Sequence, residues 1–220
     1  TFSDILNALV NGWSARNADE CVLSLAIPIE SVDPLFTLPL IAKHQEFRFL
    51  WDGAPGFCLA ASGRCQHFEF SGPRRFELAQ RFSDATLGRL QDVTPGVPAQ
   101  ARPRILFAFS FFEQASERQR VHGGPPAVQA VLPRWQLSRQ GRNGWLRLNA
   151  VATHDAEARE LAEKIWLMSE RLRQFAEKKQ SYGKTIVSGF ASSEQWQNCY
   201  QPALIRGIDL VNKGVLEKLV

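Results

Sequence analysis

The chain has 220 residues, of which 45% are hydrophobic, so it can bury a sizeable core and intrinsic disorder is not expected. Its 26 Lys and Arg outnumber 22 Asp and Glu, and the net charge of +4 is spread along the chain, which argues against nucleic-acid binding. The four cysteines and four histidines show no zinc-site spacing, and no apolar run is long enough to span a membrane.

The cysteines also bear on the compartment. They are scattered through apolar, strand-like segments, which is typical of buried thiols in a reducing environment and predicts a cytoplasmic protein. Because the chain begins at Thr1 and not at methionine, a removed targeting segment, as in a plastid protein, stays open.

The first elements predicted are a helix and a strand. Apolar residues from Phe2 to Trp13 recur at helical spacing, which indicates an amphipathic helix. Cys21 to Ile29 alternates with period two, which predicts a strand, and Pro28 favours a sheet edge near its end. The segment Asp33 to Gln45 contains two prolines and is predicted to be irregular or a short helical turn.

Three antiparallel strands follow. Glu46 to Asp52 and Phe57 to Gly63 flank the turn Gly53 to Gly56, which indicates a hairpin. A glycine turn then leads to a further predicted strand, Arg64 to Phe70.

Arg74 to Leu90 has helical periodicity, and its arginines are expected to be solvated. Asp92 to Pro103 holds three prolines and is predicted to be a loop. Arg104 to Phe112 is a nearly continuous apolar run, which predicts a strand covered on both faces.

The second half of the chain predicts a hairpin and two helices. Ala127 to Arg139 and Trp145 to Thr153 flank a Gly-Arg-Asn-Gly turn, and Trp135 is expected to pack in the core. His154 to Lys179 is the strongest predicted helix, and its charges are interpreted as a solvated face and not a site. A polar linker and a second helical pattern lead to the end of the chain.

The chain ends in a strand pattern after a helix stop. Asn212-Lys213-Gly214 predicts a helix end, because glycine relieves left-handed strain just past the last turn. In the terminal Val-Leu-Glu-Lys-Leu-Val, alternation places Lys218 on one face with Leu216 and Val220.

Lys218 admits two interpretations. Desolvation on an apolar face disfavours the ammonium, so its pKa would fall and the amine could act as a general base. Alternatively, it is an edge-strand lysine that prevents strands of different molecules from pairing, and spacing alone favours this second interpretation.

Three segments carry a family resemblance. Gly214 to Val220 is similar to the start of a Lys-Val-Val-Leu-Ala-Arg segment. Ala130 to Arg139 contains the sequence Leu-Pro-Arg-Trp. Phe47 to Gly63 matches a pattern in which an aromatic strand precedes a strand that ends in Ala-x-Gly. Together they resemble the amino-terminal half of isochorismate synthases of the menaquinone and phylloquinone type, within the chorismate-utilising enzymes. The chain stops before Leu-Ala-Arg and has Leu219 where the family usually has valine.

The resemblance implies an isomerase that converts chorismate to isochorismate. It makes Lys218 the base that activates water for attack at C2, and places the acid glutamate, the Mg²⁺ ligands and the substrate-binding groups in a carboxy-terminal half that this chain lacks. Residues 1–220 would then be the amino-terminal part of one chorismate-binding domain, inactive alone and open to complementation by the other half.

Related salicylate, anthranilate and aminodeoxychorismate synthases stay open, although the chain lacks the Leu-Leu-Glu-Ser motif of a tryptophan site near its start.

The implied fold is α+β, with layered antiparallel β-sheets flanked by helices. The expected partner is chorismate, without nucleic acid or membrane. The competing hypothesis is a non-catalytic scaffold or protein-interaction module of the same fold, because the sequence shows no paired acid and base and no metal cluster.

Overall fold

A computed structural model describes residues 1–14, 21–30, 32–53, 56–113, 126–152, 156–181 and 201–215. The chain divides into two compact units, Thr1–Gln180 and Ser181–Val220. Within these described ranges, no helix combines the length and the apolar character needed to cross a membrane.

The first unit is built on one sheet of seven strands in the described residues. They are β1 (Cys21–Glu30), β2 (Arg48–Asp52), β3 (Phe57–Phe70), β4 (Leu90–Asp92), β5 (Leu106–Phe109), β6 (Val128–Gln140) and β7 (Asn143–Ala152). The order is β2-β3-β6-β7-β1-β4, and β5 also pairs with β6. All pairs are antiparallel except β1 and β4, which run parallel.

Helices lie before, between and after these strands. They are α1 (Phe2–Ser14), α2 (Pro34–Ile41), α3 (Arg75–Gly88) and α4 (Ala156–Ser181), with a 3-10 turn at Ala99–Ala101; the second unit contains α5 (Gln201–Asn212). The predicted α+β class, with antiparallel sheet flanked by helices, is confirmed, and the described strands form one sheet instead of several layers.

The core lies between one face of this sheet and helices α1 and α4. Strict alternation in β1 and β7 directs every second apolar side chain to the helices. The buried cluster includes Leu9 and Trp13 of α1, Leu161, Ile165 and Leu172 of α4, Leu23 and Leu25 of β1, and Leu146 and Leu148 of β7. The periodicities that predicted α1, β1 and α4 are therefore those of buried faces.

The other face of the sheet carries a polar cluster around Arg147. Its side chain is 1% exposed and donates to the Ala101 carbonyl at 2.7 Å, to Asp92 through both terminal nitrogens at 3.2 Å, and to the Ser24 hydroxyl. Asn149 donates to the Pro133 carbonyl at 2.8 Å. These bonds tie β7 to β1, β4, β6 and the 3-10 turn, so buried charge and polar groups are satisfied together.

The segment predicted as two strands around Gly63 is one. β3 runs from Phe57 to Phe70 without a break, and its register against β6 shifts between Arg64 and Gln66. Gly63 has φ +65° and donates to the Phe47 carbonyl at 3.0 Å. The glycine lies just before this register shift, which is a bulge in which the chain bends without leaving the sheet.

Replacing Gly63 with alanine should destabilise the protein by about 2 kcal/mol, through left-handed strain of about 1 kcal/mol plus a steric contact. The new Cβ would lie 3.2 Å from Arg134 Cβ. Gly141→Ala is the control, because Gly141 has φ +59° and no heavy atom within 4 Å of the added Cβ. Urea unfolding measures the free energy of unfolding of both variants. Equal losses of stability in Gly63→Ala and Gly141→Ala would show that the contact with Arg134 does not destabilise the protein.

Three other predictions are corrected. Asp33 to Gln45 is not irregular and holds more than a short turn: Pro34–Ile41 forms an eight-residue helix, because Asp33 caps α2 by accepting the Leu35 N–H at 3.1 Å, and Pro34 occupies a first-turn position where no donor is needed. Arg75 is not solvated: it is 6% exposed and lies 4.4 Å from the Phe76 ring. The predicted loop after Asp92 includes the 3-10 turn, which covers Arg147.

The run Arg104 to Phe112 is not covered on both faces. Only Leu106–Phe109 forms a strand, which pairs with β6 alone, and Phe107 and Phe109 are exposed. With Phe76 of α3 and the exposed Phe111 and Phe112, they form what we call the phenylalanine surface. Its apolar composition is that of buried strands, but nothing in the described residues covers it.

Candidate functional site

Lys218, the one catalytic residue predicted from the sequence, lies outside the described residues, and its proposed role stays a prediction. The structure does describe the helix end that precedes it. After α5, Gly214 has φ +70°, Gly214 N–H donates to Val211 and Val215 N–H donates to Leu210 at 2.9 Å. This is the Schellman arrangement, so the predicted helix stop is confirmed.

The Leu-Pro-Arg-Trp stretch lies in β6, in the middle of the sheet. Trp135 is 8% exposed and pairs across the sheet with Leu148 of β7 and Ser62 of β3. Its predicted core packing is confirmed. Arg134, its neighbour, is exposed and lies against Gly63, whose missing side chain leaves room for the arginine stem.

A cavity of about 710 Å³ opens beside these residues. It lies between the α2–β2 loop, the bulge of β3, strands β6 and β7, and helix α4. Among the described residues, five basic side chains and one carboxylate line it: Lys43, Arg64, Arg134, Lys164, Arg171 and Glu46. Its apolar wall includes Ile41, Trp135, Leu148 and Leu161. We call it the cationic cavity.

The basic side chains are only partly neutralised. Lys164 pairs with Glu160 at 3.3 Å and Arg64 with Glu69 at 3.7 Å. Lys43, Arg134 and Arg171 form no salt bridge within the described part of the chain. The cavity therefore concentrates positive charge over an apolar wall, which favours organic anions.

Sequence reasoning missed this site. The basic residues are spread from position 43 to position 171 and follow no motif, and those on α4 were interpreted as a solvated face. The only local signal was Gly63, which permits the bulge and the placement of Arg134.

Cys58 and Cys65 do not supply a nucleophile. Burial raises the pKa of the Cys65 thiol to about 11, against a smaller opposing effect of the nearby Arg134 charge. Burial also raises the pKa of Cys58, with Asp52 adding to the effect. Both groups are therefore neutral thiols at pH 7, and thiolate chemistry is not expected from them.

Metal ligands are not assembled in the ranges that the structure describes, where no group of three or more His, Cys, Asp or Glu could hold an ion. The described residues thus do not fit a magnesium site.

The polar cluster around Arg147 has a different role: burial lowers the pKa of Arg147, while its bonds with Asp92 raise it. Arg147 remains a guanidinium cation whose charge is met by Asp92.

Comparison with known proteins places these features in context. The family model described as chorismate binding enzyme matches residues 6–220 of the chain. No curated protein matches it. Among solved structures, the chain is similar to MenF, the menaquinone-specific isochorismate synthase from Escherichia coli, at 20% sequence identity and a TM-score of 0.43. That match covers 74% of this chain and 32% of MenF, so the chain spans about a third of MenF's length.

Proposed function

The chain belongs to the chorismate binding enzyme family, and from that membership we propose that it is the amino-terminal part of an isochorismate synthase. The observation that carries the proposal is the family match over residues 6–220, nearly the whole chain. The Leu-Pro-Arg-Trp stretch and the lack of a Leu-Leu-Glu-Ser motif near the start support the isochorismate type within the family, and residues 1–220 form one part of a single catalytic domain.

In the proposed reaction, the neutral amine of Lys218 accepts a proton from water as the water oxygen bonds to C2 of chorismate. Both ring double bonds shift, and the hydroxyl at C4 leaves as water after protonation by an acid. Lys218 lies in a pattern that flanks it with Leu216 and Val220, which would desolvate its ammonium and favour the neutral base.

The acid, the chorismate-binding groups and the magnesium ligands are assigned to a carboxy-terminal half beyond Val220. When bound, Mg²⁺ would neutralise carboxylate charge on the substrate. No step is assigned to the ion here, because the described residues do not form a site for it.

The exposed apolar surface supports a complementing half. Phe111 and Phe112 are 91% and 72% exposed, and Trp51 of the edge strand β2 is 56% exposed. Exposed apolar groups such as the adjacent Phe111 and Phe112 are typical of surfaces that another protein segment covers. We propose that the carboxy-terminal half covers the phenylalanine surface and that both halves are needed for activity.

The purified 220-residue chain, incubated with chorismate and Mg²⁺, is expected to form no isochorismate, because it carries at most the base of an acid and base pair. Chromatography that separates isochorismate, salicylate and anthranilate measures the products. The polypeptide extended by the carboxy-terminal half should form isochorismate.

Turnover by the short chain would refute the two-half requirement. Absence of turnover in the extended polypeptide would instead favour the non-catalytic scaffold, and release of salicylate or anthranilate would assign the chain to a relative within the family.

A further inference from the structure

We propose that the cationic cavity is a binding site for a small organic anion that carries its charge on a flat apolar ring. This inference goes beyond the proposed chorismate chemistry and does not use Lys218. It depends on the arrangement of charge and apolar surface around one concavity in the first unit.

The charge at the cavity is far from the average of the chain. The whole sequence has 26 basic and 22 acidic residues, whereas the described lining has five basic side chains and only Glu46 as a carboxylate. These basic residues come from a loop, two strands and a helix, so they lie close together only in the folded chain. Like charges repel, and low-dielectric walls strengthen the field inside a cavity, which attracts an anion.

The carboxylate of Glu46 is engaged elsewhere. Its Oε2 accepts the backbone N–H of Lys43 at 3.3 Å, within the turn that leads into β2. Glu46 and Arg134 both lie beside Gly63 but form no salt bridge with each other. Arg134 on β6 and Arg171 on α4 both line the cavity and form no salt bridge among the described residues, so they are available to bind a ligand carboxylate, for which guanidinium groups have matching donor geometry.

The wall explains why the ligand should carry a ring. Phe47, Leu167 and Met168 line the cavity with apolar groups that are at least partly exposed, and Leu167 is 67% exposed. An inorganic anion would leave this apolar wall in contact with water, whereas a flat ring would cover it while its charge meets the arginines. A volume of about 710 Å³ lies within the range of sites for small molecules.

Calorimetric titration of the 220-residue chain with 1-naphthoate tests the proposal. We expect saturable binding that weakens roughly tenfold or more in Arg134→Gln/Arg171→Gln, because two charge-assisted contacts are lost. Both side chains are exposed, so the double variant should keep the fold. The matched control, Arg81→Gln/Arg89→Gln, removes the same charge from exposed positions that do not line the cavity, and should change the affinity less than about twofold.

Glu46→Gln is expected to change the affinity for 1-naphthoate in the opposite direction to the arginine double variant. Removing the one carboxylate should tighten 1-naphthoate binding, whereas general damage to the cavity would weaken it. Inorganic phosphate and the neutral 1-naphthalenemethanol should each bind at least about tenfold more weakly than 1-naphthoate, because each lacks one part of the recognised chemistry.

Three results would overturn the assignment. The first is no saturable binding of 1-naphthoate, and the second is an equal effect of the two arginine double variants. The third is phosphate binding as tightly as 1-naphthoate, which would mean that the wall takes no part. None of these results depends on whether the chain contributes to isochorismate formation.

Discussion

Replacing Asp92 with asparagine is expected to lower the free energy of unfolding by about 3 kcal/mol. The change leaves the guanidinium of Arg147, which is 1% exposed, without the carboxylate that neutralises it. Removing one partner of a buried pair costs about 3–5 kcal/mol, and the lower end applies because Asp92 is 27% exposed and water can approach the site. Urea denaturation followed by circular dichroism measures the loss.

A second change should reverse part of that loss. In Asp92→Asn/Arg147→Met the buried charge is gone and a side chain of similar length fills the space, so the double variant should be more stable than Asp92→Asn alone. Glu160→Gln is the surface control: its pair with Lys164 is exposed, and the expected loss is below about 0.5 kcal/mol. Equal losses at Asp92 and Glu160 would contradict a structural role for the buried pair.

Replacing Lys218 with alanine, in the polypeptide that carries both halves, is expected to lower kcat by about 10²- to 10⁴-fold, because a general base contributes that much to proton transfer. KM for chorismate should change little, since the proposed binding groups belong to the other half. Steady-state rates of isochorismate formation measure both parameters.

Two further variants distinguish proton transfer by Lys218 from an effect of its positive charge. Lys218→Arg should be as inactive as Lys218→Ala, because a guanidinium does not give up its proton near neutral pH. Lys213→Ala removes an exposed lysine paired with Asp209 at 2.6 Å and should leave kcat nearly unchanged. Rescue by arginine, or an equal loss at Lys213, would return Lys218 to the role of an edge-strand lysine.

Local pattern was sufficient for the elements whose faces differ in polarity. Alternation in Cys21 to Ile29 and helical spacing in His154 to Lys179 predicted β1 and α4, because each buries one face in the same core. The β6/β7 hairpin was also predictable, since Gly141 supplies the left-handed residue between two alternating segments.

Partners distant in the chain were not predictable in this way. The parallel pairing of Val22 with Leu90 joins residues that no local pattern relates. Gly63 indicated a turn, but a bulge requires the same backbone conformation, and only the pairing of β3 with β6 distinguishes them. The sequence does not distinguish the buried Arg75 from the exposed arginines of the same helix. Burial of Arg75 depends on which residues pack against α3, and the sequence of α3 does not show them.

The functional predictions also differ in whether a local segment of sequence or contacts between distant residues carry them. The role of Lys218 is proposed from a family resemblance carried by a short linear segment. The cationic cavity has no such segment, since Lys43, Arg134 and Arg171 converge only after the sheet and α4 have packed.

The pairing of β1 with β7 bears on how the chain is made. Cys21 lies opposite Ala152, so β1 acquires this partner only after residue 152 has been synthesised. At roughly 5–20 residues per second, the ribosome takes on the order of ten seconds to add the intervening segment. During that interval an almost wholly apolar strand has no β7 to pair with, which makes the nascent chain a candidate substrate for chaperones. Shortened versions that end before Ala152 should accumulate as aggregates.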